Sequence, residues 1–347
     1  MSFAFSSSVT IDFTKCGGSD SANFPVLFNT IDNRFKTVGN GGHVQNASGF
    51  DVRPYADSGL TSALSYELER FNATTGEVIM WVKLPTVSHT VNTVFYMAYG
   101  DATISTDGSS AANTFSSSFS AVWHLKDGTT LSANDALGSF NMFPANSPAA
   151  VAGQIDGGVG LVSASSQKLE TGSNGPAAPA FTISAWIKST TFNNGYVVDR
   201  GFASSDYYAL TVTSTGLLSY DVAATSIIGA SGPTVMSTGV WYYIAVTYDS
   251  VGGLKGYLNG VAQNSAAANG VANTSGVASA IGYNRAVTGN YFNGSIDEVR
   301  YASVARSIDW LLTEFNNQNS PSTFYSLGSE SGGVSPSASR GFFRLVG

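Results

Sequence analysis

Hydrophobic and polar residues alternate from near the start of the chain, with Val9, Ile11 and Phe13 set against Thr10, Asp12 and Thr14. The two-residue period returns in "GEVIMWVKL", "TVFYMAYG", "FTISAWIK", "YYALTV" and "WYYIAVTY", and short clusters of Gly, Asn, Asp and Ser separate the runs. Successive side chains of an extended chain point to opposite faces, so this period predicts strands, and the close spacing of turns predicts antiparallel sheets. Asn259-Gly260 in "KGYLNGVAQ" predicts a two-residue hairpin, because both central residues of such a turn take positive φ. Only "RSIDWLLTEFNNQ" changes to a helical period. There Ser307 can cap the first turn, Asp309 suits its positive end, and Leu311, Leu312 and Phe315 form an apolar stripe. The expected fold class is all-β with one short C-terminal helix.

Polar stretches divide the pattern. "ISTDGSSAANTFSSS" falls between the strand ending at Gly100 and the next one, "FSAVWHL", while "GSESGGVSPSASRG" reads as a Gly/Ser/Pro linker before "FFRLVG". The expected units are a small antiparallel β-sandwich module over 1–113, a larger β domain over 114–328, and a linker and tail over 329–347. A chain of 347 residues can give each domain its own core.

Composition narrows where such a protein works. Charged residues make up 11% of the chain, against about 25% in ordinary soluble domains, so Ser, Thr, Asn and Gly must form much of the surface. That coat suits proteins that meet glycans or pack beside other subunits. A net charge of −7 without any cluster of Lys and Arg argues against nucleic acid as a partner. No apolar run reaches the roughly 18–20 residues of a spanning helix, so membrane insertion is not expected. Cys16 is the only cysteine, which excludes an intrachain disulfide, and its Gly-Gly-Ser setting does not make a catalytic thiol.

Motifs for chemistry are sparse. Glu67 and Glu69 in "YELER" alternate onto one strand face and are expected to pair with Arg53 or Arg70, whereas Asp297 and Glu298 in "SIDEVR" are expected on opposite faces. His43, His89 and His124 lack the short spacing of a zinc pair, and His124 in "AVWHL" is assigned to a strand face. Nucleophile elbows, phosphate loops and dinucleotide fingerprints are missing from the sequence. Aromatic residues in or beside Gly/Asn/Ser-rich loops, Tyr207, Tyr208, Tyr283, Tyr291 and Phe292, are the candidates for stacking on sugar faces. Trp123, Trp186 and Trp241 lie inside alternating strands and are assigned to the core.

"GVWYYIAVTYDSVGGLKGYLNGV", together with "SAVWHLKDGTTLSANDALGS", "FTISAWIKS" and "YFNGSIDEVRYASVARS", resembles the laminin-G-like, concanavalin-A-like jelly rolls across residues 118–328. "NFPVLFN", "NGGHVQNASGFDVRPYAD", "YELERFNATTGEVIMWVKLP" and "TVFYMAYGD" resemble a bacterial domain of unknown function that often precedes such jelly rolls. Relatives with this arrangement occur in bacterial surface and secreted proteins, and similar ones are encoded in tailed-phage structural regions. The resemblance implies a jelly roll with one calcium ion at its rim, for which Asp135 and Asp297 are the carboxylates to test. Glycosidases of the concanavalin-like class carry their two carboxyls on one strand as Glu-x-Asp-x-Glu or a close variant, about 5–5.5 Å apart for retention. No such motif occurs, so no catalytic residue is expected.

The leading functional expectation is a non-enzymatic surface protein of a tailed-phage virion, a head decoration or tail appendage whose jelly roll meets a host glycan. Its partners would be other virion proteins, that glycan and further copies of itself, with Phe3, Phe5, Phe342, Phe343 and Arg344 docking it to the particle. If Met1 is the natural start, no secretory leader precedes the first strand, and release by lysis accounts for an exposed location. The alternatives are a secreted bacterial cell-surface adhesin or carbohydrate-binding protein and, further off, a glycoside hydrolase.

Overall fold

In the strand Glu77–Val87 the alternation serves two different cores. Val78, Met80, Val82 and Leu84 point into a sandwich interior, while Ile79 and Trp81 on the other face are buried against a second domain. The computed structural model describes the whole chain except residues 1–2, 117, 127–129, 203–204, 288 and 333–347. Phe342, Phe343 and Arg344 therefore lie outside the described residues.

The first module is a sandwich of two antiparallel sheets. Strand Glu77–Val87 is the centre of a three-stranded sheet, flanked by Ser21–Ile31 and Tyr66–Asn72. Facing it is a four-stranded sheet in the order Tyr325–Gly332, Phe5–Ile11, Thr93–Tyr99, Arg53–Tyr55. The first and last described strands are thus neighbours, with Phe5 opposite Gly332 and Ile11 opposite Tyr325. The linker expected from residue 329 begins inside a strand, and the second domain is inserted between strands of the first. The physical reason is that "YSLGSESG" forms a sheet edge, mostly half-buried or exposed, with Ser331 Oγ hydrogen-bonded to Ser6 Oγ at 2.9 Å. A polar edge strand has the composition of a linker.

The second domain stacks two antiparallel sheets. Tyr242–Asp249, Phe181–Ser189 and Gly294–Ala302 lie at the centre of an eight-stranded sheet. The seven-stranded sheet runs from Ile227–Val235 at one edge to Lys168–Thr171 and Met142–Ala145 at the other. Ile183, Ala185 and Ile187 from one sheet meet Leu210, Leu218 and Val222 from the other in the jelly-roll core. The predicted hairpin is present, with φ of 51° at Asn259 and 75° at Gly260. Trp186, Tyr243, Ala245 and Tyr257 leave the opposite face of the eight-stranded sheet and join a core shared with the first module. Both faces of these strands are therefore buried.

The helix Ile308–Asn319 is the wedge in that shared core. Ser307 caps it as expected, accepting from the Trp310 N–H at 3.2 Å. Strand Ser21–Ile31 is an edge of its sheet, and side chains from the C-terminal segment satisfy its free backbone groups. The Asn317 amide donates to Leu27 O at 3.0 Å and accepts from Leu27 N at 2.7 Å. Tyr325 Oη does the same for Asn29, at 2.8 and 2.9 Å. Gly17 lets the preceding loop lie on the helix, since a Cβ there would stand 2.4 Å from the Asp309 Cα. On the far side, Trp186 Nε1 donates to Gln318 Oε1 at 2.6 Å.

Trp186→Ala empties the middle of this shared core and is expected to cost about 3–5 kcal/mol in guanidinium unfolding. A loss below about 1 kcal/mol would show that the interdomain core contributes little to the fold.

Candidate functional site

Bulges in two strands bring acidic and basic side chains together at the seam between the domains. In Gly294–Ala302 the register against Phe181–Ser189 slips between Ser184 and Trp186, and Glu298 takes a φ of 50°. Ile296, Val299 and Tyr301 point into the jelly-roll core, so the extra residue leaves Asp297, Glu298 and Arg300 on the other face. Simple alternation had put Asp297 and Glu298 on opposite faces; the bulge is the reason they share one. Across the seam, Tyr66–Asn72 slips between Leu68 and Arg70 against its neighbour, and Glu67 and Glu69 face the second domain.

His124 sits among these carboxylates. Its Nδ1 is 2.6 Å from Glu298 Oε1 and 3.6 Å from Glu69 Oε2, and its Nε2 is 3.1 Å from Glu67 Oε2. Arg300 reaches Glu298 Oε2 at 2.7 Å and Glu314 Oε1 at 2.9 Å, with its guanidinium 4.1 Å above the Trp81 ring. The Trp81 indole donates to Glu69 Oε2 at 2.7 Å, and the Tyr243 hydroxyl donates to Glu314. Burial opposes every charge here, but the three surrounding carboxylates hold the His124 imidazolium well above its ordinary range. Burial also pushes the Glu69 carboxyl up to about 7, whereas His124 and Arg300 outweigh burial at Glu298 and lower it. Glu67 thus bonds His124, and Glu69 accepts from Trp81 with His124 3.6 Å away, rather than pairing with their expected arginines. Arg53 donates to the carbonyls of Phe50 and Thr106, and Arg70 pairs with Glu77 and Asp156.

A different arrangement occupies the outer face of the seven-stranded sheet. Phe143, 65% exposed on edge strand Met142–Ala145, stands opposite Glu170 of the next strand. It borders a cleft of about 390 Å³ with Asn141, Asn174, Ser139 and Ser173. Gly172 and Ser173 carry the cleft into a second hollow of about 290 Å³ whose far wall includes Arg285. Arg285 is fixed by Glu170 Oε1 at 2.9 Å and by the Gly201 carbonyl at 2.9 Å. Lys168 bonds the other Glu170 oxygen at 2.8 Å while its ammonium lies 3.9 Å over the Tyr283 ring. Burial raises the Glu170 carboxyl, but hydrogen bonds from Lys168, Tyr283 and Arg285 outweigh it and lower it overall. An exposed ring flanked by amides and hydroxyls can stack on one face of a sugar and hydrogen-bond its hydroxyls. None of the described residues lining either hollow is Asp or Glu.

None of the predicted site residues among the described residues lines this cleft or the hollow beside it. Tyr208, Tyr283 and Phe292 are 3%, 4% and 1% exposed and cannot stack on a ligand. Tyr208 takes the inward position of its strand, and its hydroxyl bonds Ser279 at 2.9 Å. Tyr207 and Tyr291 are half-buried, Tyr291 stacking on Tyr283 at 5.5 Å. Asp135, named as a calcium ligand, holds its own loop: one of its oxygens accepts from Val122 and Leu137 N–H, the other from Ser139 and Phe140 N–H, at 2.9–3.0 Å. Those bonds shape the loop that walls the cleft. Asp297 is likewise fully buried in the seam, accepting from Gln154 and Ile155 N–H at 2.9 Å. Phe3 and Phe5 pack within the first module, Phe3 against Tyr55 and Phe5 stacked on His43 at 4.0 Å. The sequence reading missed Phe143, Asn141, Asn174 and Arg285. Its one available signal was Phe143-Pro144, since proline within a sheet is confined to edges and bulges and so marks its neighbour as an edge residue.

Residues 156–311 match the family described as the concanavalin A-like lectin/glucanases superfamily, Laminin_G_3, and residues 48–125 match a domain of unknown function, DUF2341. No curated protein sequence matches the chain. Among solved structures it is similar to domain 4 of AbnA, a GH43 extracellular arabinanase from Geobacillus stearothermophilus, in complex with arabinotriose. That likeness has 18% identity and a TM-score of 0.48, over 57% of this chain and 98% of that one. It is also similar to the CBM40 of the Ruminococcus gnavus IT-sialidase bound to α2,3-sialyllactose, at 17% identity and a TM-score of 0.36 over 40% and 84%. A third is the native heptameric SAP-like pentraxin of Limulus polyphemus, at 20% identity and a TM-score of 0.35 over 42% and 73%.

Arg300→Met leaves buried Glu314 without its bonded cation and Glu298 with His124 alone, and is expected to lower unfolding stability by about 3–5 kcal/mol. Lys255→Ala, on an exposed strand position, is expected to change it by less than about 0.5 kcal/mol. Equal effects of the two in chemical denaturation would show that the seam charges do not support the fold.

Proposed function

We propose that this chain, a DUF2341 domain followed by a concanavalin A-like domain, is a non-enzymatic surface protein. Its first module attaches it to a larger assembly, and the outer face of its seven-stranded sheet binds a carbohydrate. The observation that carries this reading is Phe143, exposed at the sheet edge beside Asn141, Asn174 and Ser173. Hydrolysis by a carboxylate pair finds no support in the cleft, which offers no acid among its described lining residues. The ligand class is a polysaccharide that presents a pyranose face to the ring and hydroxyls to the amides.

The assembly we propose is the virion of a tailed phage. Two observations support it: the weakly charged surface, and the adjacency of Phe5 and Gly332, which puts both ends of the described chain on the first module. The first module packs on the eight-stranded sheet, so the cleft lies across the jelly roll from those ends. The chain is expected in purified particles, labelled by antibody against the jelly roll, and truncation after Gly332 should lower its incorporation while both domains stay folded. Absence from particles together with presence on a cell envelope would favour the adhesin reading.

On a panel of bacterial surface polysaccharides, Phe143→Ala is expected to weaken binding at least tenfold, about 1.4 kcal/mol, with the melting temperature unchanged. A flat titration of the unaltered chain across a broad panel would overturn carbohydrate binding.

A further inference from the structure

We propose that Glu69, His124 and Glu298 form a divalent transition-metal site that clamps the two domains together. One donor atom from each of the three lies within 4.8 Å of the others, and all three residues are buried. Each residue is also held from behind. Trp81 donates to Glu69 Oε2 at 2.7 Å, Glu67 faces His124 Nε2 at 3.1 Å, and Arg300 holds Glu298 Oε2 at 2.7 Å. Such outer partners fix the orientation of metal-binding histidines and carboxylates, and a carboxylate on the far imidazole nitrogen is the commonest form of it. His124 Nδ1 and Glu298 Oε1 are left facing one another on the inside, 2.6 Å apart.

Glu69 supplies an independent sign. Its side chain is fully buried, and its Oε1 has no hydrogen-bond partner among the described residues. The carboxyl's other oxygen is 3.6 Å from His124 Nδ1, so this carboxylate stands beside the His124–Glu298 pair. Charge balance agrees. The buried carboxyls of Glu67, Glu69, Glu298 and Glu314, with Asp297 beside Glu298, meet His124 and Arg300 in the bonded network, while Lys126 and Arg306 act on them from farther away. A dication offsets the excess acid without adding a side chain.

One imidazole nitrogen with two carboxylate oxygens suits Zn²⁺ or Mn²⁺ better than Ca²⁺ or Mg²⁺, which prefer oxygen alone. The ion would take the place of the proton between His124 Nδ1 and Glu298 Oε1, releasing it to solvent. Ligands about 2.0–2.2 Å from a common centre then move the two atoms to roughly 3 Å apart. Glu69 belongs to the first module, while His124 and Glu298 belong to the second, so the ion ties one to the other. The two hollows on the seven-stranded sheet are lined by other residues, and all three donors are buried, so the role we assign is structural.

The test uses the full chain, stripped with EDTA and desalted, then supplied with ZnCl₂ or MnCl₂. Elemental analysis is expected to find close to one equivalent retained after desalting, with a melting temperature raised by about 5–10 °C. Glu69→Gln keeps an acceptor for the Trp81 indole and should abolish both effects, while Glu77→Gln, outside the triad, should leave them. Should Glu69→Gln fail to fold, the unaltered chain loaded with Co²⁺ must show the visible bands of a nitrogen- and oxygen-ligated ion. No retained metal and identical melting with and without Zn²⁺ or Mn²⁺ would overturn the site, leaving a network neutralised by protons.

Discussion

Arg300 bonds Glu298 and Glu314 at once, with its planar face on Trp81, in a place where every partner is buried. Such a guanidinium cannot leave its carboxylates without stranding charge in a low-dielectric interior. Its partners come from three parts of the chain: a strand of the inserted domain, the C-terminal helix and the central strand of the first module. The arrangement requires those parts to meet in one register. The bulge at Glu298 is what makes this possible, because it turns Asp297, Glu298 and Arg300 to the seam while Ile296, Val299 and Tyr301 keep the jelly-roll core intact.

Around that contact the molecule is built in layers. The four- and three-stranded sheets enclose one core, the eight- and seven-stranded sheets another, and the helix with Trp186, Tyr243 and Trp310 fills the space between. Of the jelly roll's four sheet faces, two form its core and one packs on the first module. The outer face of the seven-stranded sheet remains. The exposed ring of Phe143 and the hollows beside it lie at the edge of that sheet, so packing, rather than any motif, selects where a ligand can sit.

The alternating pattern made the strands legible, and the Asn259-Gly260 hairpin and the Ser307 cap were readable from local chemistry alone. The same pattern could not tell which core a side chain enters. Trp186 and Ile187 are adjacent and equally apolar, yet one fills the interdomain core and the other the jelly roll. Aromatic residues near glycine-rich loops looked available for ligands, but strand parity turned Tyr208 inward and packing closed over Tyr283 and Phe292. Phe143 was passed over because a short strand beside proline carries too little periodicity to announce an exposed face.

By itself, then, the sequence determined the element types and the scarcity of charge, since both follow from local spacing and composition, and its motifs carried the resemblance of each domain to a family. It also placed Glu67, Glu69 and Glu298 on strands, while His124, assigned to a strand face, stands one residue past the strand Phe119–Trp123. Only tertiary structure decided that these four belong together, because 231 positions of chain from Glu67 to Glu298 close into one contact through two bulges whose positions alternation cannot reveal. It likewise decided that "YSLGSESG" is a strand, because a polar segment becomes ordered only where a neighbour, here Phe5–Ile11, offers unpaired backbone groups to meet its own.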